Sequence, residues 1–124
     1  MWRISSLTTI CAVWLAPEIM KKEQYTEKAD VFSFGIIMWE LVGREKPFDE
    51  YEIARSSFTY QLEDEIIGGL RPTIPKDKIC PPAYVQLMES CWNSDPKARP
   101  QFEEICKQIN RLRESLPTEM AESE

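Results

Sequence analysis

The sequence predicts a mainly α-helical fold, and three observations carry that reading. Between positions 31 and 42, nine of twelve residues are large and apolar: Val31, Phe32, Phe34, Ile36, Ile37, Met38, Trp39, Leu41 and Val42. Two later stretches repeat apolar residues at helical spacing, Tyr84, Leu87, Met88 and Cys91 in one and Phe102, Ile105, Ile109 and Leu112 in the other. Steps of three and four place each set on one helix face. No two alternating segments read as paired strands, and no internal repeat is visible.

The central segment, residues 29–42, leaves no face for water, so as a helix it belongs at the centre of a larger packing unit. Thr26 and Asp30 offer capping oxygens near its start, and Gly43 offers a left-handed end. As a strand it would be long, and Gly35 and Glu40 would interrupt it. Phe58, Leu62 and Ile66 then mark a helix that stops at Gly68-Gly69. The proline-rich stretch 70–82 reads as a loop. Helices over 81–92 and 100–113 follow, with Pro100 suited to a first turn, where its missing N–H costs nothing. Residues 114–124 hold four glutamates and no basic residue, the composition of an acidic flexible tail.

Composition excludes several classes of function. A chain of 124 residues has room for one domain. Its 43% hydrophobic and 29% charged residues are ordinary soluble usage. A net charge of −6 repels phosphate backbones, so nucleic acid and anionic membrane are poor partners. There is no histidine, which removes the commonest general base and metal ligand together. Cys11, Cys80, Cys91 and Cys106 form no Cys-x-x-Cys pair, a spacing that argues against zinc and for reduced thiols in a cytoplasmic protein. Arg3 and residues 7–16 imitate a signal peptide, but Thr8, Thr9 and bulky Trp14 do not fit one. No apolar run reaches the ~18 residues of a membrane span.

Three motifs in order carry a resemblance. Trp14-Leu15-Ala16-Pro17-Glu18 resembles the end of the protein-kinase activation segment. Lys28-Ala29-Asp30-Val31-Phe32-Ser33-Phe34-Gly35, running on to Trp39-Glu40-Leu41, is similar to the central helix of the larger kinase lobe. Leu87-Met88, Cys91-Trp92, Asp95-Pro96, Arg99-Pro100 and Phe102 resemble the last two helices of that lobe. The Cys-Trp pair, Gly69-Leu70-Arg71-Pro72 and Ile74-Pro75 point to the tyrosine-kinase and tyrosine-kinase-like branch. On this resemblance residues 11–113 form a partial kinase domain, the C-terminal helical subdomain of a truncated kinase-like fold. Residues 1–10 are an activation-segment remnant or a non-native start, and 114–124 are the tail.

The resemblance implies roles for particular residues. Trp14, Ala16, Pro17, Glu18, Asp30, Gly35, Trp92 and Arg99 would be structural motif residues. Glu18 would pair with Arg99, because a guanidinium holds a carboxylate by two parallel hydrogen bonds; taken alone, the two read as a first-turn acid and a solvated base. Asp30 would face the catalytic loop in a whole kinase, and here it reads as a cap of its own helix. Ile37 and Leu41 resemble the seats of the catalytic spine, or plain core. Cys11, Ala12, Val13, Leu15 and Glu40 are candidate substrate-facing residues, with a helix-flank acid as the alternative for Glu40. Where the family reads Gly-Thr-x-x-Trp, this sequence has Ile10-Cys11-Ala12-Val13-Trp14, so neither Gly nor Thr stands in that register.

Phosphoryl transfer in this family uses a glycine-rich loop, a lysine, an H-R-D loop and D-F-G. The four glycines here form no Gly-x-Gly-x-x-Gly, and without histidine there is no H-R-D. All the missing parts precede this stretch in kinase order, the pattern of truncation. The resemblance therefore implies a parent that moves the ATP γ-phosphate to protein Ser/Thr, less readily Tyr, hydroxyls. The chain itself is expected to be inactive and to hold neither ATP nor magnesium. Expected partners are a protein substrate or the missing part of the domain, with self-association through an apolar patch centred on 31–39. The alternative is a stand-alone, non-catalytic binding module that docks a basic partner through the acidic span 49–65.

Overall fold

A computed structural model describes residues 13–51, 59–78 and 80–115. The positions 1–12, Phe58 and 116–124 that figure in the sequence reading lie outside the described residues. Five α-helices are present among the described residues: α1 (Pro17–Met20), α2 (Lys28–Gly43), α3 (Thr59–Ile67), α4 (Pro82–Cys91) and α5 (Phe102–Ser115). A 3-10 turn, Pro96–Ala98, links the last two. No strand occurs among the described residues, so the mainly α reading holds.

The long apolar run becomes α2; Thr26 supplies an oxygen at its start as expected, whereas Asp30 and Gly43 do not take the parts expected of them. No side-chain oxygen of the N-cap residue Glu27 closes the start. Thr26 Oγ1, one of the two expected oxygens, accepts from the Lys28 amide at 3.2 Å, while Asp30 sits exposed in the first turn. At the far end Gly43 is still helical and Arg44 takes the left-handed conformation (φ 52°), its N–H donating to the Glu40 carbonyl. A short αL residue need not be glycine where the turn is exposed and only one residue long.

α2 packs chiefly on α4. Val31, Phe32, Ile36, Met38 and Trp39 are buried with Leu87, Met88 and Cys91, and Leu62, Ile66 and Ile105 extend the same core. Ile37 and Leu41 break the expectation of an all-round buried helix, being 43% and 69% exposed. They lie one turn apart on the helix, with Leu41 at the edge of a groove that α4 and α5 also line. The uncovered apolar surface is thus narrower than the expected patch over 31–39, and it lies at the C-terminal half of the helix.

The loop before α4 is tied down by side chains from both ends. Trp39 Nε1 donates to the Thr73 carbonyl at 2.7 Å, and Tyr51 Oη donates to the Arg71 carbonyl at 2.9 Å. Tyr84 Oη donates to the Met38 carbonyl at 2.7 Å, fixing the start of α4 on α2. α3 ends as expected: Gly69 adopts φ 117°, open only to glycine without strain, and Leu70 N–H returns to the Glu65 carbonyl.

α5 starts at Phe102, so Pro100 stands before the first turn rather than in it. Of its apolar face only Ile105 is fully buried. Phe102 is partly exposed and meets Phe34 edge-on at 5.8 Å. Ile109 and Leu112 line a groove of about 360 Å³ with Phe34, Met38, Leu41 and Tyr84. Glu114 and Ser115, expected in the tail, are the last helical residues.

Candidate functional site

The three motifs converge on one buried corner. Ala16 precedes α1 with extended backbone, and Pro17 occupies its first position, where a fixed φ suits a helix start. This aims Glu18 inward, and it is 5% exposed. On the other side of the sequence, Asp95 Oδ1 accepts from the Lys97 amide and closes the 3-10 turn, which delivers Arg99 in extended backbone.

Arg99 is 2% exposed and uses its whole fork. Its Nη1 donates to Glu18 Oε2 at 2.7 Å and its Nη2 to Glu18 Oε1 at 2.9 Å. Nη1 also donates to the Lys28 carbonyl, and Nε donates to the Asn93 carbonyl, both at 2.8 Å. Lys28 Nζ returns a bond to the Arg99 carbonyl. The pair therefore joins α1, the first turn of α2 and the approach to α5 across 81 residues. Burial pushes the Glu18 carboxyl up, but the hydrogen bonds and charge of Arg99 outweigh it and hold the group below its ordinary range.

A second set of contacts fixes the segment just before α1. Ser33 Oγ donates to the Trp14 carbonyl at 2.6 Å, and Trp14 Nε1 donates to Glu40 Oε1 at 2.7 Å. Trp14 is thus held at both ends by α2. The half-buried Glu40 has one oxygen committed to this indole, a partner that its position in the sequence did not reveal. Among the candidate substrate-facing residues, Leu15 is half-buried and Val13 is in the core. Val13 is 5% exposed, as an apolar side chain in contact with the core should be. Cys11 and Ala12 lie outside the described residues.

Gly35 and Trp92 sit where α2 crosses α4. A Cβ on Gly35 would stand 2.9 Å from Cys91 Cβ and 3.3 Å from the Trp92 amide nitrogen. Trp92 is buried, and its carbonyl accepts from Arg71 Nε at 2.8 Å. Asp30, exposed, joins none of these contacts.

Arg71 is the residue that sequence reasoning missed; it was read only as part of a branch motif. Besides Trp92, its guanidinium donates to the carbonyls of Ile66 (3.0 Å) and Leu70 (2.7 Å) and to Ser94 Oγ (3.1 Å). Burial, together with the charge of Arg99, pushes it down to about 10. The only available signal was an arginine between a glycine turn and a proline, where a solvated side chain is the ordinary expectation.

This corner can hold two distant stretches of chain in fixed relation. Among the described residues no cluster of three or more His, Cys, Asp or Glu could grip a metal ion. No described helix is long and apolar enough to cross a membrane.

Comparison with known proteins agrees with this geometry. The family model described as protein tyrosine and serine/threonine kinase matches residues 3–109. A probable serine/threonine-protein kinase, roco5, of Dictyostelium discoideum is 56% identical over 94 residues, covering 75% of this chain and 3% of its own length. From the same organism, cyclic GMP-binding protein C is 47% identical over 84% of the chain and 4% of that protein. The probable serine/threonine-protein kinase roco7 is 44% identical over 83% of the chain, again 4% of its own length. The chain thus spans a small part of each relative. On the matched motifs, the buried Glu18–Arg99 pair and the helical order, the chain belongs to the protein tyrosine and serine/threonine kinase family and corresponds to the C-terminal portion of its domain.

Proposed function

We propose that the chain is the substrate-side part of a kinase domain that transfers the ATP γ-phosphate to serine or threonine hydroxyls of a cytoplasmic protein, and that by itself it is catalytically silent. One observation carries this reading: the buried bidentate Glu18–Arg99 pair holds the Trp14–Glu18 segment against α2, the arrangement a kinase needs beside its peptide groove. The relatives named as serine/threonine kinases support that hydroxyl class over tyrosine. The 124 residues hold no histidine and no Gly-x-Gly-x-x-Gly, so the ATP and magnesium of the family have no grip here.

The test is direct. Incubated with magnesium-ATP and a generic protein substrate, the purified chain transfers no phosphate, and nucleotide leaves its Tm unchanged. A nucleotide-dependent rise in Tm at micromolar concentration would overturn the reading, because mass action requires binding to the folded state.

The exposed pair Ile37 and Leu41 is the seat for the rest of the domain under this proposal, and when uncovered it drives self-association. Leu41→Lys should therefore weaken self-association about tenfold in analytical ultracentrifugation, since a charge placed in an apolar contact costs at least ~1.4 kcal/mol. An unchanged monomer–dimer equilibrium would remove this face from consideration.

A further inference from the structure

Phe32 is fully buried in the first half of α2, and two guanidiniums share its ring. The Arg71 guanidinium carbon lies 4.8 Å from the ring centroid and that of Arg99 lies 5.2 Å away. Each arginine holds a different part of the fold. Arg71 binds the end of α3 through the Ile66 and Leu70 carbonyls, and the exit of α4 through the Trp92 carbonyl. Arg99 binds α1 through Glu18 and the start of α2 through the Lys28 carbonyl. Arg71 donates to carbonyl and hydroxyl oxygens, whereas Arg99 alone takes the Glu18 carboxylate.

Two like charges near one another in a low-dielectric interior repel, and the negative face of an aromatic ring is what each can gain in common. The ring therefore has to sit where both cations profit from it, and a shift of either guanidinium changes the field at the other. We infer that Arg71 is a positioning residue that acts through Phe32 on the Glu18–Arg99 pair, so that the end of α3 and the Ala16-Pro17-Glu18 corner are set by one joint. Burial of Arg71 together with the charge of Arg99, which lowers its proton affinity, is consistent with two cations that feel each other.

α1 and α3 also pack directly, so a loosened α3 could reach α1 without this joint. The decisive readout is therefore the Arg99 side chain, whose Nε–H donates to the Asn93 carbonyl away from both helices. Hydrogen exchange of that Nε–H is followed by NMR in the 124-residue chain, with the α5 amides as internal reference. Arg71→Lys keeps the charge but loses the planar fork. It should speed Arg99 Nε–H exchange about fivefold or more while the α5 amides change less than about twofold. Phe32→Leu leaves the carbonyl partners of both arginines in place and should loosen Arg99 to a similar degree. An unmoved Arg99 Nε–H in either variant would reduce Arg71 to a local clip on α3. Equal acceleration of α5 and Arg99 in both variants would reduce the effect to general destabilisation; either result overturns the joint.

Discussion

Replacing Glu18 by alanine should remove about 3–5 kcal/mol of stability, since it leaves the Arg99 guanidinium buried without its counter-charge. That is a large share of the ~5–15 kcal/mol a typical domain has in total, so urea unfolding of the variant should show a collapsed midpoint. The cost comes from desolvation. Arg99 keeps its bonds to the Lys28 and Asn93 carbonyls, but dipoles do not replace a full negative charge in a dry site. A loss under about 1 kcal/mol would mean that water reaches the pair and that it behaves as a surface bridge.

The same pair sets a pH dependence whose sign is fixed. Glu18 titrates below its ordinary value near 4.5 in the folded chain. A carboxyl lowered on folding contributes stability that is complete above the unfolded pKa and is lost as pH falls through the folded one. Wild-type stability should therefore decline from about pH 4.5 downward. Glu18→Gln, already lacking the charge, should show a shallower decline over that window.

Much of this corner was legible because it depends on side-chain chemistry at recognisable spacing. Glu18 and Arg99 stood in motifs that a bidentate pair explains, and the helical faces of 84–91 and 102–112 followed from period alone. Other features were not legible, for physical reasons. Nothing local marks Ile37 and Leu41 as outward-facing, because an apolar residue reads as core whichever way it points. Glu40 looked like a flank acid because its partner, Trp14, lies 26 residues away. Arg71 escaped because its oxygens are backbone carbonyls of Ile66, Leu70 and Trp92, and a carbonyl leaves no trace in a residue's identity. Helix ends differ from the expected ones by one or two residues, the margin within which caps and fraying leave a boundary undetermined by pattern.

Gly35→Ala gives the sharpest contrast between local propensity and packing. In an exposed helix interior the change would stabilise by about 1 kcal/mol, because alanine loses less backbone freedom and hides the backbone from water. Here the new Cβ would stand 2.9 Å from Cys91 Cβ, 3.2 Å from the Met88 carbonyl oxygen and 3.3 Å from the Trp92 amide nitrogen. Two of these neighbours are backbone atoms and the third is a Cβ fixed to the backbone, so no rotamer change makes room. α2 and α4 would have to move apart, opening the contact between Ile36, Leu87 and Met88 that forms the core. Overpacking of this kind costs roughly 1–3 kcal/mol, which offsets the propensity gain of about 1 kcal/mol and leaves a net loss of up to about 2 kcal/mol. Urea unfolding should show the lower midpoint, with exchange protection falling first in the α4 amides. A variant more stable than wild type would mean that the helices already have slack at this crossing, and that Gly35 serves neither packing nor the placement of Trp92.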